Sequence, residues 1–169
     1  MTDVETTGLD PSKHEILEIG LVVFGSSPPF EIVDTLDIKV KPEHIETAEP
    51  RALEVNGYDP ALWIDSVPLP KALELYYNKA RGCTFASHNV TFDWGFIGND
   101  SRFSHHKLDT VSIAWAKLPH DKVKGYGLKT LCNYLGIEPE PVVHHAINGA
   151  MKAYELYVKL MTPENSGML

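Results

Sequence analysis

Cysteine is nearly missing from this chain: Cys83 and Cys132 are its only two, each in an apolar segment and neither in a Cys-x-x-Cys pair. That argues against a disulfide framework or a thiolate zinc site, and the expectation is buried, reduced thiols in a cytoplasmic protein. No uninterrupted apolar run approaches the ~20 residues of a membrane span, and no basic-then-apolar leader opens the sequence, so no membrane partner is expected. Positive charge is scarce as well. Fifteen Lys and Arg face 23 Asp and Glu, giving a net charge of −8 and a pI near 5.4. No overall field draws in phosphate backbones, which disfavours a protein that coats a duplex. An enzyme that grips one strand end through metal ions stays open, because bound cations supply charge that a residue count omits. Repeats, linkers and low-complexity tracts are also lacking. The 169 residues, 43% of them hydrophobic, therefore read as one domain over 1–161 with a frayed tail at 162–169.

What is present alternates between strand and helix signals. Glu15 to Phe24 is apolar enough for a strand in the body of a sheet. Gly25 to Pro29 breaks it, and Phe30 to Val40 returns as an antiparallel neighbour. Pro50 to Gly57 reads as a short helix with Pro in its first turn and Gly at its stop, and Pro70 to Ala80 as a second, closed by Gly82. Cys83 to Ser87 is a short strand, followed by a helix from Thr91 to about Asn99. Leu108 to Thr110 is extended, Val111 to Lys117 helical, and Gly127 to Leu135 a helix stopped by Gly136. The last helix runs from about His145 to Leu160 with an apolar stripe through Ala146, Ala150, Ala153, Tyr154, Tyr157 and Val158. Two β runs followed by alternating helices and short strands imply an α/β mixed sheet with helices packed on it.

Three separated stretches carry chemistry. In Asp3-Val4-Glu5, strand alternation puts both carboxylates on one face, where they repel unless one is protonated or a cation such as Mg²⁺ or Mn²⁺ sits between them. A solvated acidic strand end would read the same way. The turn residues Thr6 to Pro11 end the strand and let backbone approach a ligand. In Ser87-His88-Asn89-Val90-Thr91-Phe92-Asp93, the aspartate falls near the first turn of a helix, a favourable place for any negative charge. Val143-His144-His145-Ala146 enters the final helix, where an isolated histidine pair is more often surface or core decoration than a ligand.

Together these stretches resemble the three motifs of the DEDD superfamily of 3′→5′ exonucleases, in the branch with a histidine in its third motif. Polymerase proofreading subunits of the polymerase III epsilon type, RNase T and oligoribonuclease belong to that branch. Asp3-x-Glu5-Thr6-Thr7-Gly8 is similar to the first motif, His88-Asn89-x-x-Phe92-Asp93 to the second, and His144-x-Ala146 to the start of the third. Their order and separation agree over nearly the whole chain. The resemblance implies an RNase H-like fold with a five-stranded mixed sheet flanked by helices. It implies two Mg²⁺ or Mn²⁺ ions held by Asp3, Glu5 and Asp93, with His144 as general base. Thr6, Thr7, Gly8, Leu9, His88, Asn89 and Phe92 would meet the terminal nucleotide of single-stranded DNA or RNA. For Leu9 and Phe92 ordinary core packing is an equal expectation, and for Lys122, Lys124 and Lys129 a solvated face. A polymerase partner or a homodimer is implied as well.

Two departures stand out. The third motif demands an aspartate five residues after His144, where this chain has Gly149, and no neighbouring register supplies it. Asn148 lies about 100° round the helix, and glycine in a helix interior costs ~1 kcal/mol relative to alanine. Loss of an inner carboxylate is expected to impair hydrolysis by at least 10–100-fold. At the other end only Met1 and Thr2 precede Asp3, so the central strand reads as cut short, with a gap where apolar residues should pack. Three functions follow: an impaired exonuclease, a nucleotide-binding module without turnover, or an interaction protein with no metal.

Overall fold

The computed structural model describes residues 1–98 and 100–162, so the expected tail and the end of the helix predicted to reach Asn99 lie outside the described residues. Among those described, no helix is long and apolar enough to cross a membrane. The centre is β2 (Ile16–Phe24), whose first seven residues are all buried. It pairs antiparallel with β1 (Thr2–Thr6) on one edge and with β3 (Ile32–Lys39) on the other. Alternation along β1 and β2 sorts their side chains. Val4, Ile19 and Leu21 face the core that includes Tyr76 of α2 (Leu69–Lys79). Met1 and Val22 face α6 (Ala146–Met161) and pack with Ala150, Ala153 and Tyr157. Asp3, Glu5, Glu18 and Gly20 share that second face, with Asp3 opposite Gly20 and Glu5 opposite Glu18 in the ladder.

The remaining elements follow the sequence closely. Helix α1 (Pro50–Asn56) ends on Gly57 at φ +61°, the left-handed conformation glycine adopts at no steric cost. Strand β4 (Phe85–Ser87) leads into α3 (Val90–Ile97), and β5 (Lys107–Asp109) into α4 (Thr110–Lys117). Helix α5 (Leu128–Leu135) is stopped by Gly136. Single helical turns at Ile45–Thr47 and Pro60–Trp63 carried no periodicity long enough to read beforehand. Cys132 is buried as expected, but Cys83 is half-buried, because β4 starts two residues after it.

The sheet corrects one expectation. Instead of one five-stranded mixed sheet, β1-β2-β3 form an antiparallel sheet and β4-β5 a separate parallel pair. On the β1 edge that would meet β4, the Val4 N–H donates to Asp93 Oδ1 at 3.0 Å, so a carboxylate holds a donor that a strand carbonyl would otherwise take. Nearby, a cavity of about 380 Å³ opens between Met1, Val22, Phe24, Cys83, Phe85 and Tyr157. β1 itself reaches five residues by continuing past Glu5. The Met1 amino group donates to the Val22 carbonyl, and its burial pushes its pKa down to about 5.

Candidate active site

The acid cluster follows from the register. Glu5 and Glu18 sit directly opposite each other on one face, an arrangement of like charges that weakens a strand pair. Lys39 follows Glu18 across the ladder and places Nζ 3.9 Å from its Oε1, on the side away from Glu5. Asp93, in the first turn of α3 and 1% exposed, comes in from beyond the β1 edge. Asp93 thereby comes near enough to Asp3 and Glu5 to repel both. Burial pushes the Asp3 carboxyl well above its usual range, with Asp93, Glu5, Glu140 and Glu18 adding repulsion in that order. Glu5 rises to about 8, from burial first and then from Glu18, Glu140 and Asp93. Burial also raises Asp93, against the pull of its hydrogen bond from Val4.

Helix α6 closes the other side. It crosses β2 so tightly that a Cβ on Gly20 would stand 2.5 Å from the Ile147 nitrogen, which fixes glycine there. Glu18 Oε2 accepts the Ala146 N–H at 3.1 Å, capping the helix start, and His145 Nδ1 lies 3.2 Å from Oε1. Gly149 then faces the Asp3 carboxylate: a Cβ at 149 would lie 2.7 Å from Asp3 Cγ and 3.1 Å from Oδ1. The position where the sequence pattern asks for an acid is thus the point on α6 that touches the cluster. His144 is on the rim. Its backbone N–H donates to Val55 of α1, its ring lies 3.7 Å from Glu140, and its side chain is 40% exposed.

The other expected contacts divide. Thr6, Gly8, Leu9 and Phe92 line one pocket of about 240 Å³ together with Glu5 and Asn56. Leu9 is 74% exposed and so is no core residue, whereas Phe92 packs both at the pocket and against Phe96. Thr7 is buried, its hydroxyl accepting the Glu15 N–H at 2.9 Å, which shapes the turn instead of meeting the pocket. His88 spends both ring nitrogens within the protein, on Thr110 Oγ1 at 2.8 Å and on the Tyr126 carbonyl at 2.9 Å. Burial lowers its pKa, as suits a neutral strut. Asn89 sits exposed in a left-handed turn, its N–H held by Asp109.

Three contributors escaped the sequence reading. Glu18 looked like one polar residue in a strand, Glu140 lay in an unstructured connection, and Asn56 ended a short helix. The period-2 offset between Glu5 and Glu18 was available only once the hairpin register was known. Asn56 is 1% exposed, donates to the Thr6 carbonyl at 3.1 Å, and leaves its buried Oδ1 without a partner beside the pocket.

Crowded buried carboxylates suit a hard divalent cation. Among the described residues, no three His, Cys, Asp or Glu side chains are already gathered into a cage, since Asp93 is turned to Val4 and Gly149 offers no oxygen. The donor chemistry fits, and adjustment of Asp3, Glu5 and Asp93 would complete it.

The chain is similar to several known proteins. The chain is 26% identical over 166 residues to a DNA polymerase III of PolC type from Caldanaerobacter subterraneus subsp. tengcongensis, and 26% over 167 residues to that of Thermotoga petrophila. Each match covers 94% of this chain but only 11% of the relative, so the chain spans about a tenth of those relatives' length. Among solved structures, Exonuclease X in complex with 5′ overhanging duplex DNA superposes with a TM-score of 0.72 at 20% identity, covering 99% of this chain and 92% of that one. The nuclease domain of 3′hExo, a DEDDh family member bound to rAMP, gives 0.74 at 18% identity over 95% and 89%. Escherichia coli Exonuclease I in complex with a dT13 oligonucleotide gives 0.79 at 16% identity, covering 95% and 40%. These likenesses establish the fold. The family model described as Exonuclease, of the RNase T type, matches residues 1–157, and on that match the chain belongs to this exonuclease family.

Proposed function

We propose that this chain takes the 3′ end of single-stranded DNA or RNA and hydrolyses its last phosphodiester only feebly, because Gly149 stands where the site needs an acid. Hydrolysis adds water to phosphorus, breaks the P–O3′ bond and releases a nucleoside 5′-monophosphate. Two Mg²⁺ or Mn²⁺ ions, when bound, would lower the pKa of the attacking water and steady the departing 3′-oxygen. Asp3, Glu5 and Asp93 would hold them, and His144 would take the water's proton, an imidazole being able to do so near neutral pH. The terminal nucleotide would enter the pocket beneath Leu9 and Phe92, with the Thr6–Gly8 backbone along its edge and the free Asn56 Oδ1 accepting one of its donors. The names of the polymerase relatives favour a polymerase partner over a homodimer. Two free cysteines fit a cytoplasmic setting.

The observation that carries this reading is the contact of Gly149 with the Asp3 carboxylate. A second reading, a nucleotide-binding module without turnover, draws on the same glycine and on the pocket, which forms without help from α6. Gly149→Asp separates them. With Mn²⁺ and a single strand labelled on the phosphate of its 3′-terminal nucleotide, the substitution should raise mononucleotide release at least 10–100-fold over the natural chain, and Asp3→Ala in the same background should abolish it. Release by Gly149→Asp no greater than by the double variant would leave only the binding module. Failure of Mn²⁺ to bind either chain would remove both readings.

A further inference from the structure

We infer that an exposed aromatic and lysine platform on α4 and the loop after it holds single-stranded nucleic acid upstream of the 3′ end; this rests on the function just proposed. Trp115 is 57% exposed on α4, a large apolar ring that packing alone would have covered. Its ring centroid lies 4.4 Å from that of His120 and 4.9 Å from that of Tyr126. His120 Nδ1 and the Tyr126 hydroxyl are 2.8 Å apart, which ties the two loop rings together. The loop is pinned from below by buried Val123, so the aromatic surface is preformed.

Charge and position both favour nucleic acid. Residues 117–129 contain four lysines and one aspartate, against a net charge of −8 for the whole chain. Lys117 is tied to the Leu160 carbonyl, while Lys122, Lys124 and Lys129 are exposed. Stackable rings with flanking cations bind single strands with little dependence on sequence. The platform is tied through His88, by its bonds to Thr110 and to the Tyr126 carbonyl, to the turn between β4 and α3, the helix that carries Asp93. Trp115 lies five residues beyond Thr110 along α4, a rise of ~7.5 Å. A strand whose last nucleotide sits under Leu9 could thus continue across Trp115.

The test compares a 5′-mononucleotide with a fluorescent eight-nucleotide single strand in Mg²⁺, using the full chain. The natural chain should bind the octamer more tightly than the mononucleotide. Trp115→Ala should weaken octamer binding roughly 5- to 100-fold and leave mononucleotide binding unchanged, and Trp115→Tyr should restore most of the loss. Lys122→Gln with Lys124→Gln should flatten the salt dependence of octamer binding by about 1.4 in log–log slope. Equal octamer binding by Trp115→Ala and the natural chain overturns the platform, as does an octamer bound no better than the mononucleotide. Either result leaves the terminal-nucleotide pocket standing. Binding of neither ligand by the natural chain would instead overturn the proposed function and the platform with it.

Discussion

The two walls of the acid cluster are made of different material. The strand wall carries Asp3, Glu5 and Glu18 on one face, with Asp93 reaching in from α3, and Asp93 and Glu18 add to the burial that raises the proton affinity of Asp3 and Glu5. The helix wall is backbone and one glycine, brought to contact distance by Gly20 and held there by Glu18. The strand wall costs folding energy whenever its acids are charged and no cation is bound. The helix wall costs little and contributes no oxygen. On the proposed function, carboxylates crowded at such a cost would serve a cation rather than stability, and Gly149 is where the helix wall would have to supply a further oxygen.

The largest effect should come from the strand wall. At pH 8, where its acids are most charged, Mn²⁺ at about 100 times its Kd should raise the melting temperature by ~5–10 °C over the metal-free protein. Without metal the pH dependence has a definite sign. Glu5 holds its proton up to about 8 when folded, against 4.5 ordinarily, so between those values the folded chain binds more protons than the unfolded one. That contribution is complete below pH 4.5 and is lost as pH rises through 8, and Asp3 and Asp93 act in the same direction. Thermal scans in EDTA from pH 5 to pH 8.5 should show a falling melting temperature, and a flat profile would mean that the acids are solvated after all.

Glu18→Gln should give the next effect. Glutamine can still accept the Ala146 N–H but removes the charge facing Glu5, the leading source of repulsion on that carboxyl after burial itself. The Glu5 midpoint, followed by carboxyl-carbon NMR, should fall below 8 while α6 stays in place. An unmoved midpoint would mean that Glu18 anchors the helix without shaping the site's electrostatics.

Much of this was legible in the chain, and the reasons differ by element. The β2-β3 hairpin and helices α1 and α5 were readable because apolar pattern and a terminal glycine agree locally, and α6 because its apolar stripe is long. Asp3, Glu5 and Asp93 were readable as a group through the spacing of three short motifs. The split sheet was not, since pairing at the β1 edge depends on contacts far apart in sequence, such as the Val4 N–H bonded to Asp93 89 residues away. His88 shows the same limit: its motif placed it near the substrate, while its two hydrogen bonds make it a strut between β4, α4 and the loop at Tyr126. Glu18 was hidden for a related reason, because a polar residue in a strand declares its face only when its partner's register is fixed.

Gly149→Ala offers the finest comparison, since it adds bulk to the helix wall without adding an oxygen. Alanine gains ~1 kcal/mol in a helix interior. Its Cβ, 2.7 Å from Asp3 Cγ, forces that carboxylate to swing aside. The two effects oppose each other, so denaturant unfolding in EDTA should place the variant within ~1 kcal/mol of the natural chain. The Mn²⁺-dependent rise in melting temperature should not grow, because alanine displaces Asp3 as aspartate would but brings no oxygen. Mononucleotide release should not increase. If alanine raised release as aspartate is expected to, the deficiency at 149 would be one of helix placement, and the missing carboxylate would no longer explain it.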